Sequence, residues 1–179
     1  MAGDPSNATV WPDADVYVAP LGSTVPAGAG TPFAAAWELV GLLDGDAGFT
    51  QSRAEEKNDR YAWGGILVRT TRRNFKLTLA FTPLEDNDVT RDLIWPASTG
   101  GYLVVPRPAR VLVAFEIRED DRVRRLITAY QAEIEVNADV NDNEQDLTRY
   151  PMLATIFPDT SVSPARLFLE QANFGVGSV

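Results

Sequence analysis

The chain has no cysteine and no histidine among its 179 residues. Without cysteine there are no disulfides, no thiolate nucleophile and no thiolate metal ligand, which suits a protein assembled in a reducing cytosol. Without histidine the commonest general base and the commonest metal ligand are lost together. Ser-His-Asp and Cys-His catalytic sites are therefore excluded, as are histidine-based zinc sites. Positive charge is also short. Sixteen Lys and Arg face 25 Asp and Glu, for a formal charge of −9 and a pI near 4.5. Phosphate repels a chain of that sign, which argues against tight nucleic-acid binding. No apolar run approaches the roughly 20 residues of a membrane helix. The start, MAGDPSNATVWPD, carries neither the basic nor the apolar segment of a secretion signal, so neither membrane nor export is expected. There is no Gly-rich phosphate loop and no nucleophile elbow.

What remains is an ordinary globular composition, 45% apolar and 23% charged. At this length a single domain buries roughly 70% of its unfolded surface. Residues 1–14 are polar and read as a flexible arm. Asp15 to Pro20 alternates as a short strand, and the Gly- and Pro-rich stretch Pro20 to Pro32 is a loop. Trp37 to Leu43 is a strand candidate, with a possible bulge at Gly41. Asp44 to Gly65 is long, charged and weakly periodic. As a loop it is long enough to imply a role or a partner. Ile66 to Phe81 returns to strand, with Phe75, Leu77, Leu79 and Phe81 on one side.

Pro83 to Ser98 is the best helix, capped by Asp86 or Asp88, striped by Val89, Leu93 and Ile94, and stopped by Pro96. Arg110 to Ile117 alternates again, Glu119-Asp120-Asp121 turns, and Val123 to Tyr130 runs back. From Tyr130 to Asn141 one face is apolar and the other wholly polar. Asp142 to Thr148 is an acidic loop and Tyr150 to Phe157 a last strand. Ser163-Pro164 reads as the start of a short helix, Ala165 to Ala172. The domain plan is an N-terminal arm (1–14), one β-domain (15–160) and a C-terminal arm or short helix (161–179). The fold class is mainly β, a β-sandwich or barrel with one flanking α-helix.

Candidate chemistry is thin. Asp139, Asn141 and Asn143 match three ligand positions of a calcium loop. Glu144 stands where its glycine belongs and Tyr150 where its bidentate glutamate belongs, so no metal is expected. Glu133 and Glu135 share a strand face about 7 Å apart, but lack the surroundings of a hydrolase pair. No catalysis and no cofactor is expected. Trp11, Trp37, Trp63 and Trp95 are candidate platforms for a carbohydrate-binding alternative, although Trp37 and Trp95 read as core. Arg69, Arg72, Arg73 and Lys76 make a basic strand; alternation puts Arg72 and Lys76 on one face and Arg69 and Arg73 on the other. Residues 131–146 carry six acids and no base. Charge split between two segments of one chain suits pairing between copies at least as well as a DNA grip.

The order of these features resembles a known family. Trp37-Glu38-Leu39-Val40-Gly41-Leu42-Leu43-Asp44 is followed by Gly45, Gly48, Glu55-Glu56 and Ala62-Trp63-Gly64. Then come the arginine strand, Phe75 to Phe81 with Thr82-Pro83-Leu84-Glu85, and a short helix. Arg110 to Ile117, the hairpin, the alternating strand and Tyr150-Pro151 to Pro158-Asp159 complete the pattern. Over residues 11–160 this resembles the major tail proteins (tail tube proteins) of long-tailed bacteriophages, especially those of actinobacterial hosts. The resemblance implies hexameric rings stacked into a tube around a tape measure protein, with tail-tip and tail-terminator proteins at its ends. Double-stranded DNA would pass through without specific binding. The protein would belong to the virion, after assembly in the host bacterial cytoplasm. Glu133, Glu135, Asn137 and Asp139 would then line the lumen, where carboxylates repel DNA. Asp44, Asp46, Arg53, Glu55, Glu56, Lys57, Asp59 and Arg60 would form an inter-ring loop. Trp63 would anchor the chain's return to the domain, and Arg69, Arg72, Arg73 and Lys76 would meet acids of adjacent copies. Another tail-completion or secretion-type tube protein is the alternative of the same class.

Overall fold

Alternation of apolar and polar residues sets the middle of the molecule. The computed structural model describes residues 8–173. Residues 1–7 of the expected N-terminal arm and 174–179 of the expected C-terminal arm lie outside the described residues. The strands are β1 (Asp13–Ala19), β2 (Glu38–Leu39), β3 (Thr50–Tyr61), β4 (Leu67–Phe81), β5 (Ala109–Glu119), β6 (Arg122–Thr128), β7 (Gln131–Val136), β8 (Met152–Phe157) and β9 (Phe168–Ala172). One helix, α1 (Asp88–Ile94), follows β4. All pairings are antiparallel, in an open sheet of order β2-β1-β5-β7-β8-β4-β3, with β6 on β5 and β9 on β6. The chain is mainly β, as its patterning implies.

Strand β5 is the joint. Its first residues, Ala109–Val111, pair with β7, while the rest pairs with β1 and β6. Both of its faces are buried. Val113 and Phe115 enter one core with Val16, Val18, Leu77, Leu79, Phe81, Ala132, Ile134, Met152, Ala154, Ile156 and Leu93 of α1. That cluster draws on both halves of the sheet, which therefore close over it. Phe49 and Phe81 both meet Phe115 edge-on, at centroid distances of 5.3 and 5.8 Å, a favoured aromatic geometry. Leu112 and Ala114 face the other way, against Ala19, Trp37 and Ile127. This second core is roofed by the Gly- and Pro-rich segment after β1, through Val25 and Phe33. Trp37 Nε1–H donates to the Thr24 carbonyl at 2.9 Å, which satisfies the one polar group of that ring.

A buried ion pair pins the roof. Glu116 and Arg125 are only 3% and 7% exposed. Arg125 Nε–H donates to Glu116 Oε2, and its Nη1 donates to the carbonyls of Gly28 and Thr31 at 3.1 and 2.7 Å. Its guanidinium lies 4.5 Å from the Phe33 ring centroid. Arg118 binds the other oxygen of Glu116 and reaches Asp13 and Asp15. Burial by itself would lower the Arg118 pKa. Its hydrogen bonds to Asp13, Glu116 and Asp15 outweigh that and hold the guanidinium above its ordinary value.

Several expectations need correcting. The segment Trp37–Leu43 yields only the two-residue β2. Beyond it the chain is held by backbone bonds to Val16, Thr82 and Leu84 and by two side-chain clamps: Leu42 N–H donates to Glu85 Oε1, and Asn87 Nδ2 donates to the Val40 carbonyl, at 2.9 and 2.8 Å. Gly41 is thus a point of close approach, not a bulge. The helix is shorter than 83–98, and its N-cap is Asn87, whose Oδ1 accepts from Thr90 N–H at 2.9 Å. Asp86 instead grips Arg91. The helix expected over Ala165–Ala172 is absent: 168–172 pair with β6 as β9. An open strand edge supplies a ladder of backbone hydrogen bonds that a two-turn helix cannot match.

Gly41 carries a testable consequence. Its φ is +112°, and a Cβ there would sit 2.7 Å from Glu85 Oε2 and 2.8 Å from Asn87 Nδ2. Gly41→Ala is expected to cost about 1–3 kcal/mol, from backbone strain and displacement of the two polar clamps. Urea unfolding checks it; an unchanged midpoint would refute the clamp.

Candidate assembly surface

The long segment expected as a loop is a strand. β3 and β4 pair over eleven positions, from Thr50↔Ala80 to Tyr61↔Leu67. Only the base of this hairpin belongs to the core. β4 pairs with β8 at Leu77–Phe81 and no further. Beyond that, residues 53–61 and 67–76 form a two-stranded arm, roughly 25–30 Å long. Every residue of β3 is exposed. Sequence periodicity missed β3 because no core selects one of its faces. Its only signal is the turn-forming Gly64-Gly65 pair. Gly64 and Gly65, at φ +85° and +77°, make the turn. Trp63 does not anchor the chain to the domain. It sits at the tip and is 100% exposed.

The register also corrects the charge faces. Ala54 pairs with Lys76, whereas Glu56 pairs with Arg73, so β4 carries an extra residue at a bulge where Asn74 has φ +55°. A bulge shifts the side-chain alternation by one. Lys76 therefore joins Arg69 and Arg73 on the face shared with Glu56 and Arg60. Arg72 lies on the other face with Arg53, Glu55 and Lys57. On that second face Glu55 binds Lys57 and Arg72, both at 3.4 Å, and Asp59 accepts from Thr70 at 2.7 Å. The first face is different. Its one acid, Glu56, accepts from Asn74 at 2.9 Å. Arg60, Arg69, Arg73 and Lys76 make no ion pair among the described residues. Arg60 and Arg69 stand directly opposite each other, a like-charge pairing that destabilises an isolated hairpin.

The arm with its turn, residues 53–76, holds seven bases and three acids, a charge of +4; the remainder of the chain is then −13. Asp44 and Asp46, expected to share the arm's role, stay at its root. Asp44 caps its own turn and pairs with Arg149 at 3.1 Å.

The expected lumen face is only half formed. Glu133 and Glu135 lie on β7, but the strand ends at Val136, so Asn137 and Asp139 fall in the following loop. Glu133 accepts from Arg110 Nε on β5 at 2.8 Å, so the face is not purely acidic. No element among the described residues covers it. In the calcium-like loop Asn143 Oδ1 accepts from Gln145 and Asp146 N–H, so it closes an ordinary Asx turn. Trp37 is core and unavailable as a sugar platform.

What the surface can do chemically is bind. It offers a cationic stripe, an unsupported β-ribbon with free backbone edges, and an apolar tip. A scan against protein-family models found no match for this sequence, and neither did a search of curated proteins.

Proposed function

We propose that the protein is a structural subunit of a phage tail tube, whose rings stack through the β3–β4 arm and enclose the path of the DNA. One observation carries this: beyond its base the arm packs on no other element among the described residues. A lone two-stranded hairpin is marginal in water, and this one also opposes Arg60 to Arg69. A neighbouring copy with an acidic surface supplies both packing and counter-charge. The mainly β architecture, the resemblance over residues 11–160 and the opposite charges of arm and remainder support the same reading. A tail-completion or secretion-type tube protein uses the same features and differs in the fate of the tube.

Light scattering and negative-stain microscopy of the purified protein test the proposal. Rings or tubes are expected, with assembly weakened by salt as the arm's charges are screened. A protein that stays monomeric at every concentration would overturn it. Glu133→Lys combined with Glu135→Lys is expected to preserve tubes while slowing DNA passage, because the charge that repels phosphate is reversed beside Arg110. Loss of assembly instead would make that face an interface between copies.

A further inference from the structure

The arm carries an apolar tip as well as a basic stem. Trp63 is fully exposed, and Tyr61, Ile66, Leu67 and Val68 are 51–67% exposed. Among the described residues the body carries a comparable feature. After α1 the chain runs through Tyr102, Leu103, Val104 and Val105, which are 80, 66, 42 and 89% exposed. Four consecutive exposed apolar residues are unusual on a folded surface and mark a contact site. Among the described residues the two features stay apart, since Trp63 is 100% exposed. Resting on the assembly reading above, we infer that the tip of one copy's arm docks on the Tyr102–Val105 loop of a second copy, with the arm's basic stem lying over the acids beside that loop.

The surroundings of the loop fit this occupant. Val104 N–H donates to Ser98 Oγ, so the loop is tied to the end of α1. Helix α1 carries Asp88 and Asp92 on an exposed side, and its N-terminal flank adds Asp86, which Arg91 holds. The segment 139–146 adds Asp139, Asp142, Glu144 and Asp146, all exposed. These two acidic groups are neighbours. Burial raises the Tyr150 pKa, and the charges of Asp86 and Asp142 raise it further, so both carboxylates act on one ring. An apolar loop beside an acidic field complements an apolar tip on a basic stem. Tip and loop are different surfaces, so the contact is head-to-tail and propagates from copy to copy. A lipid surface would also accept a Trp-tipped basic hairpin, but it would leave the body's apolar loop and acids unmatched.

The absence of cysteine makes the test clean. Trp63→Cys and Val105→Cys lie at almost fully exposed positions and leave the core untouched. Under mild oxidation the double variant is expected to give a ladder of covalent multimers on a non-reducing gel. A mixture of the two single variants is expected to give a dimer that neither forms alone. Trp63→Ser is expected to raise the concentration needed for assembly at least tenfold. Rings or tubes without a 63–105 bond would overturn this contact and leave the tube reading standing. A 63–105 ladder without rings or tubes would do the reverse. A 63–63 bond, a bond within one chain, or flotation of uncrosslinked protein with anionic phosphatidylserine vesicles would each overturn the contact.

Discussion

Replacing Glu55–Phe75 with Asn-Gly is expected to give a folded monomer that no longer assembles. The cut uses the register. Ala54 and Lys76 are paired across β3 and β4, and Asn-Gly between two paired residues forms the two-residue turn that the strand twist favours. The excised arm contributes nothing to either core, so stability is expected to change by no more than about 0.5 kcal/mol. Removing a single strand would be a poorer experiment, because it leaves the other limb's backbone exposed. Assembly is expected to vanish, because the stripe of Arg60, Arg69 and Arg73 and the Trp63 tip leave together. Size-exclusion chromatography with light scattering reads the oligomer, and urea unfolding reads the fold. A truncated protein that still makes tubes would remove the arm from assembly altogether.

Arg125→Met is expected to be the most destabilising single change on the molecule. Glu116 would stay buried with one of its two cationic partners gone, and the carbonyls of Gly28 and Thr31 would lose their donor. Breaking a buried ion pair from one side costs about 3–5 kcal/mol. For a chain of this size that corresponds to a drop in Tm of roughly 6–20 °C. The double change Glu116→Met with Arg125→Met is expected to recover much of the loss, because two apolar side chains of similar length remove the charge penalty. Arg118 retains Asp13 and Asp15 in the double variant, so the edge of β1 stays paired. The single variant is also expected to open the roof first. Hydrogen exchange in residues 20–36 would rise ahead of exchange in β5. If the single and double variants lost equal stability, the pair would be acting through shape and not through charge.

The two experiments probe opposite design problems. The roof over the second core is held by a buried polar network inside the protein, in which Arg125 meets Glu116, Gly28 and Thr31. The arm leaves basic and apolar groups exposed, and in the proposed assembly a second copy would cover them. On the assembly proposal the buried pair governs stability and the arm association, so the two sets of variants are expected to separate cleanly.

Strands with one buried face were legible in the sequence. Leu77, Leu79 and Phe81 alternate because one side of β4 faces a core, and Ala132 and Ile134 alternate for the same reason on β7. The turn at Asp120-Asp121 and the helix near Leu93 followed from equally local chemistry, and the missing cysteine and histidine closed off whole classes of reaction. Tertiary structure decided the rest. β3 has no buried face and so no period to read; only its pairing with β4 makes it a strand. β9 became a strand because β6 offered it an edge. The extra residue at Asn74 moved Lys76 onto the face of Arg69 and Arg73, a shift of register that alternation counted along one strand cannot detect. The side-chain sequence specifies which faces seek burial. Which backbone edges meet, and therefore which charges come to share a surface, depends on partners distant in the chain.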